Sequence, residues 1–276
     1  MKKELIPIVF AINDEFVPYF GVALHSIKQN ASLDYQYMIY VFHIGMNIDL
    51  INKIEKLSDE NFIVQCIDVD DYMPNIEFTS TNHVSKETLY RLIVPNVLGQ
   101  YDKVLWLDAD MVILNDISIL YKLDIEGNII GAAPELMHEY IYDYLNDHGM
   151  EKESFFNSGV LIIDTKRMLE EKILEKCVTF LKQKHYAFPD QDSLNETCRG
   201  KVYLFSYAWN YAPNKIIRQE FPDMEEIYCE ASKHPYIIHF TGSGKPWKCI
   251  LAKTIHAISC TNHISSYVLI YNLLIK

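Results

Sequence analysis

The 276-residue chain is short of positive charge: 25 Lys and Arg stand against 37 Asp and Glu, a net charge of −12. Such a chain has no bulk attraction for nucleic acid or an anionic bilayer. If it binds an anionic nucleotide, positive charge must be brought to the site locally, by a divalent cation, an Arg or a Lys. The six cysteines form no C-x-x-C pair, which argues against a zinc ribbon or a thioredoxin-like centre. Met1-Lys2-Lys3-Glu4 runs straight into an apolar strand without a secretory signal. The thiols therefore read as reduced and mostly buried, in a cytoplasmic protein. No apolar run reaches the length of a membrane span. The first strand is not followed by G-x-G-x-x-G, and G-x-x-x-x-G-K-[ST] is also missing, so neither common phosphate cradle is present. Nothing resembles disorder or a repeat array. The length suits one core domain with a small appendage.

The periodicity is that of an α/β protein. Leu5–Ala11, Tyr37–Ile44 and Phe62–Val69 read as strands, with helical spacing over Asp14–Gln29 and Asp49–Leu57 between them. This β-α-β-α-β start predicts a parallel sheet with helices on its faces. Further on, Ser85 is placed to cap a helix through Leu89, Leu92 and Ile93 that Pro95 breaks or restarts. Strands are predicted at Val104–Leu107, Ile129–Ala133, Val160–Ile163, Val202–Phe205 and Tyr236–Phe240. One long amphipathic helix is predicted over 166–184, with Leu169, Ile173, Cys177 and Phe180 on its apolar face. Asp190 is placed to cap a short helix that Gly200 ends. The Asn-, Pro- and Glu-rich stretch Tyr207–Lys233 reads as a long surface excursion near an acceptor pocket. After Trp247 the chain looks helical and its last residues are apolar. A docking helix is the blander reading of this tail, and a weak peripheral membrane contact at the inner face of the membrane is the alternative.

The strongest local signal is Leu105-Trp106-Leu107-Asp108-Ala109-Asp110-Met111-Val112. Two carboxylates two apart at the end of a buried strand can turn toward one ion, and carboxylate oxygens suit Mn²⁺ or Mg²⁺. Such an ion can bridge the phosphates of a nucleotide diphosphate. Taken alone, D-x-D is a common tripeptide on solvated loops, but the apolar residues on both sides make idle acids costly here. A second cluster, Ile237-Ile238-His239-Phe240-Thr241-Gly242-Ser243-Gly244-Lys245-Pro246-Trp247, supplies what the first lacks. His239, at a strand end, is a good third ligand. Gly242 and Gly244 let backbone amides approach phosphate oxygens, and Lys245 adds positive charge. After the first strand, Ala11-Ile12-Asn13-Asp14 offers small and polar residues for a base and ribose, while Asp14 can equally cap the next helix.

In their order along the chain these segments resemble glycosyltransferase family 8, the retaining enzymes that include glycogenin and bacterial lipopolysaccharide galactosyl- and glucosyltransferases. The resemblance spans roughly Ile6 to Lys248. It implies a GT-A fold over 1–248, which leaves the helical-looking 249–276 as an appendage, and it implies Mn²⁺, a UDP-glucose or UDP-galactose donor, a glycan or glycolipid acceptor and retention of configuration. It also implies roles for individual residues. Ala11, Asn13 and Asp14 would face uracil and ribose. His83 and Arg91 would approach the donor. Asp108, Ala109 and Asp110 form the D-x-D, and His239 is the last metal ligand. Phe156-Asn157-Ser158-Gly159-Val160 would bring Asn157 to the transferred sugar. Asp190-Gln191-Asp192 would hold that sugar, and they supply the catalytic candidates: Asp190 is the best carboxylate for a nucleophile, and Gln191 could steady an oxocarbenium-like centre. Gly242, Lys245 and Trp247 follow the last ligand. Where the family commonly has Asp, this chain has Glu135, which keeps the charge and lengthens the reach toward sugar hydroxyls. The aromatic pair that many relatives carry after Trp247 is missing. Two other readings compete: a non-catalytic UDP-sugar-binding protein, and a D-x-D metal-dependent phosphatase. The latter normally places its motif on an early strand.

Overall fold

A computed structural model describes residues 3–74, 86–136, 139–152, 154–183, 185–213, 222–242 and 245. The first half builds strands β1 (Glu4–Ala11), β2 (Tyr35–His43) and β3 (Phe62–Asp68) around helices α1 (Val17–Asn30) and α2 (Ile48–Glu55). A 3₁₀ segment, Lys86–Ile93, leads into α3 (Val94–Leu98), which Pro95 restarts from its first turn. Then come β4 (Lys103–Leu107), β5 (Met111–Ile113), α4 (Ile117–Tyr121), β6 (Ile130–Pro134), α5 (Glu139–His148) and β7 (Phe156–Asp164). The last described part holds α6 (Thr165–Glu170), α7 (Ile173–Leu181), α8 (Pro189–Thr197), β8 (Val202–Leu204), α9 (Pro222–Lys233) and β9 (Ile237–His239).

Seven strands form one sheet in the order β3-β2-β1-β4-β7-β6-β8, and β5 pairs with β9 in a separate ribbon. All pairings in the large sheet are parallel except those of β7, which runs against both β4 and β6. The central strands β1, β4 and β7 are buried on both faces, which is why they read as near-continuous apolar runs. Along β4 the alternation is clean: Leu105 and Leu107 join the core under α1 and α2, while Val104 and Trp106 join the core under residues 86–98, α6 and α7. Each fully buried side chain of this size contributes about 1.5–3 kcal/mol.

Four local expectations are corrected. The helix over 166–184 is two helices, because Lys172 is left-handed (φ 55°, ψ 47°) and breaks the ladder. Leu169 is consequently exposed. Asp190 lies buried inside the first turn of α8 and is not its cap. Asn13 rather than Asp14 caps the turn after β1, accepting from the amides of Glu15 and Phe16. Tyr207–Lys233 is not a plain surface excursion either: it opens on a buried 3₁₀ turn, Tyr207–Asn210, and ends in α9. The Ser85 cap and the appendage at 249–276 lie outside the described residues. Among the described residues no helix is long and apolar enough to cross a membrane.

Candidate active site

The carboxyl ends of β1 and β4 and the amino end of β7 share one edge of the sheet, the edge where open α/β sheets hold ligands. Val9 pairs with Trp106, so Ala11 and Asp108 both follow two residues beyond that pair. Asn13 and Asp14 continue from there, with Asp14 accepting from the Asn47 amide at 3.3 Å. The backbone of Asp108 is tied to β7 by its amide, which donates to the Gly159 carbonyl at 2.9 Å.

The ribbon of β5 and β9 brings in the distant half of the site. Met111 pairs with His239, and the Phe240 amide donates to the Asp110 carbonyl at 3.0 Å. His239 Nε2 thereby stands 3.2 Å from Asp110 Oδ1 and 3.7 Å from Asp108 Oδ2. Ligand atoms of Asp108, Asp110 and His239 all lie within 4.8 Å of one another. Ala109 between the acids is buried, and Lys245 donates to the Asp110 carboxylate and to the Phe240 carbonyl.

The electrostatics ask for a cation. Burial raises the Asp108 carboxyl above its ordinary value against the pull of Arg91 and His239, and the charge on Asp110 adds to the rise. Burial acts on Asp110 in the same sense, but His239 and Lys245 draw it well below the usual carboxylate range. Two oxygen donors and an imidazole nitrogen suit Mn²⁺, with Mg²⁺ the harder alternative. The donor set fits such an ion on a further count. His239 Nδ1 is 2.8 Å from Asn210 Oδ1, an acceptor, so Nε2 is the ring nitrogen that faces the two acids and is available to a metal.

Arg91 is buried beneath this group. Its guanidinium reaches Asp108 Oδ1 at 3.0 Å, Asp190 Oδ2 at 3.1 Å and the Ser158 hydroxyl at 2.6 Å, and it packs 5.0 Å from the centre of the Trp106 ring. The Trp106 indole donates to the same Asp108 oxygen at 3.0 Å. One side chain therefore ties the D-x-D to α8. Ser158 in turn donates to Asp190 Oδ2 at 3.0 Å, and its amide donates to Gln191 Oε1 at 3.1 Å. Gln191 therefore keeps its NH₂ group and one lone pair of its oxygen for any other partner. Asn195 stitches α8 to β7, accepting from the Phe156 amide and donating to its carbonyl.

Ser158, Gly159 and Val160 occupy an irregularity of β7 next to Asn157: Ala132 pairs with Leu161 but Ala133 with Asn157, so residues 158–160 are extra opposite β6. Glu135, just past β6, is buried and accepts from Asn157 Nδ2 at 2.8 Å. Gly159 is needed for closeness: a Cβ there would meet His239 Cε1 at 2.3 Å. Gly242 is left-handed at φ 70° and exposed. His83, Gly244 and Trp247 lie outside the described residues. The structure thus brings Arg91, Asp108, Ala109, Asp110, Glu135, Asn157, Asp190, Gln191, His239 and Lys245 into one connected network, with Ala11, Asn13 and Asp14 at the same sheet edge. Sequence reasoning missed Asn210, and it saw Ser158 and Gly159 only as parts of a motif. The one available signal for Asn210 was the Asn-rich composition around it.

The model of the family described as glycosyl transferase family 8 matches residues 7–250. General stress protein A of Bacillus subtilis (strain 168) is 26% identical over 258 residues, covering 89% of this chain and 88% of the relative. A lipopolysaccharide 1,2-glucosyltransferase of Escherichia coli (strain K12) is 27% identical, covering 89% and 73%. Among solved structures, the galactosyltransferase LgtC in complex with donor and acceptor sugar analogues aligns at a TM-score of 0.72 with 23% identity, covering 98% of this chain and 97% of that one. The bifunctional glycosyltransferase WbbM aligns at 0.75 with 24% identity, and the chain spans about half of it, 51%. The structural likenesses show the GT-A fold, and the match over nearly the whole sequence shows that the chain belongs to glycosyltransferase family 8.

Proposed function

We propose that this glycosyltransferase moves a hexose, glucose or galactose, from a UDP-sugar to a glycan acceptor in the cytoplasm, with lipopolysaccharide or another cell-surface polysaccharide as the acceptor class. The observation that carries this reading is the meeting of Asp108, Asp110 and His239 beside Lys245. Asp108, Asp110 and His239 would hold Mn²⁺, which when bound supplies charge neutralisation for a departing diphosphate. Lys245, now on Asp110, stands close enough to share that work. The acceptor class follows the lipopolysaccharide glucosyltransferase relative.

The α8 residues favour a positioning role. The Asp190 carboxylate is buried and engaged by Arg91 and by Ser158, which leaves it poorly set as a nucleophile. The Gln191 oxygen is engaged by the Ser158 amide. Both are better placed to hold the donor sugar while the acceptor attacks from the leaving-group side. A covalent glycosyl adduct on Asp190 would contradict this. The test of the function is Mn²⁺-dependent release of UDP from UDP-glucose and UDP-galactose, with intact mass to separate self-glucosylation from transfer to an external acceptor. Phosphate release from a generic phosphoester would point instead to a phosphatase, and tight UDP binding with no turnover on any acceptor to a binding protein.

A further inference from the structure

Glu135 and Asn157 were expected to touch the donor sugar, yet both belong to a chain of hydrogen bonds that ends on the imidazole of His239. Glu135 Oε2 accepts from Asn157 Nδ2 at 2.8 Å. Asn157 Oδ1 accepts from Asn210 Nδ2 at 2.8 Å and from the Gly159 amide at 2.9 Å. Asn210 Oδ1 faces His239 Nδ1 at 2.8 Å. The chain has a direction, and its chemistry fixes that direction. An ionised carboxylate only accepts and a backbone N–H only donates. Glu135 therefore turns the Asn157 NH₂ toward itself, and the Gly159 amide independently demands the Asn157 oxygen on the other side. That oxygen can receive only the NH₂ of Asn210, so the Asn210 oxygen is left for His239. A carbonyl oxygen at 2.8 Å calls for a proton on Nδ1, while Nε2, 3.2 Å from the acceptor-only Asp110 carboxylate, competes for the single proton of a neutral ring; the amide chain is what holds that proton on Nδ1 and leaves the Nε2 lone pair for a metal. Glu135, Asn210 and His239 are all buried, so water is a poor substitute for any link.

We infer that Glu135, Asn157 and Asn210 form a directional relay that holds His239 with its proton on Nδ1 and its bare Nε2 toward the metal. Asn210 and Glu135 are positioning residues, acting through the imidazole. The inference rests on reading Asp108, Asp110 and His239 as a metal site, but the position of the ring proton can be measured without metal. A second consequence separates this role from a sugar contact. A residue that only touches the donor sugar leaves Mn²⁺ affinity unchanged when no nucleotide is present, whereas a relay member lowers it, and more so the closer it stands to the ring.

The experiment has two arms on the full chain. ¹⁵N-histidine spectra of the metal-free protein in alkaline buffer, with His239 assigned by a His239→Gln variant, report which nitrogen of the neutral ring keeps its proton. Free Mn²⁺, read by electron paramagnetic resonance without nucleotide, gives the affinity of the wild type, Asn210→Leu and Glu135→Gln. The relay predicts the proton on Nδ1 in the wild type. It predicts an affinity loss of about 10- to 100-fold in Asn210→Leu, and a smaller loss in Glu135→Gln, where an amide no longer dictates which way Asn157 turns. A wild-type proton on Nε2 alone overturns it, as does a folded Asn210→Leu variant that binds Mn²⁺ like the wild type. If the wild type binds no Mn²⁺, the metal reading fails, and the ring proton by itself decides the relay: on Nδ1 it stands, on Nε2 it falls.

Discussion

Replacing Gly159 by Ala adds one methyl group at the most crowded point of the site. Gly159 is not among the glycines with positive φ, so the backbone tolerates Ala and the whole effect is steric. The new Cβ would lie 2.3 Å from His239 Cε1, 2.8 Å from Nδ1 and 3.0 Å from Asn157 Oδ1. Carbon atoms rest comfortably at about 3.5–4.0 Å, so the ring must retreat by roughly 1 Å or the β7 backbone must move with Asp108 attached to it. Metal ligands hold their distances within about 0.2 Å, so either shift takes a ligand out of reach. The overpacking costs about 1–3 kcal/mol, a fall in Tm of roughly 2–12 °C for a chain of this size. Calorimetry and Mn²⁺ titration together form the assay: a folded variant whose Mn²⁺ affinity is down by at least about 100-fold. A Gly159→Ala protein that binds Mn²⁺ within twofold of wild type would refute the placement of His239 against β7.

Removal of Arg91 should be costly in stability as well as activity. Arg91→Leu leaves the Asp108 and Asp190 carboxylates without their shared cation. Denaturant unfolding should show a loss of about 3–5 kcal/mol, with little rescue by Lys, which lacks the planar fork; a loss under about 1 kcal/mol would contradict the network. Cysteine labelling at neutral pH should mark Cys229 first among the described thiols. Burial pushes Cys66 and Cys198 up to about 12 and raises Cys177, so early modification of Cys198 in the folded chain, seen by peptide mapping, would contradict its burial. Lys172→Gly should relieve the left-handed residue between α6 and α7 and stabilise the protein by about 0.5–1 kcal/mol, visible as a higher Tm. A lower Tm would mean that Lys172 contributes more than the strain it carries.

How much was legible in the sequence depended on the range of the signal. The central strands of the sheet were readable because burial on both faces leaves apolar runs, and Val104–Leu107 ending in Asp108 is the clearest case. The helix break at Lys172 was not readable, since neither Gly nor Pro marks it and the apolar spacing continues on both sides. β5 went unseen because three apolar residues after the D-x-D look like the end of a loop. Its identity as a strand depends on β9, far away in sequence, and that pairing is what carries His239 to Asp110. The site residues came from motifs and family resemblance, and the geometry adds connections that no motif displays. Arg91 lies under the two acids, and Glu135 and Asn157 connect to the imidazole. Asn210 was illegible because a lone Asn in an Asn-rich stretch carries no pattern; its meaning comes only from the two side chains between which it lies.

The central claim is that Asp108, Asp110 and His239 together hold a divalent cation for departure of a nucleotide diphosphate. UDP release from UDP-glucose and UDP-galactose, measured with and without Mn²⁺ in wild type, Asp110→Ala and His239→Ala, tests it most directly. The account predicts release that depends on Mn²⁺ in the wild type and is abolished in both variants while their circular dichroism is unchanged. Wild-type rates in either folded variant, or release that persists undiminished after metal is chelated, would contradict it.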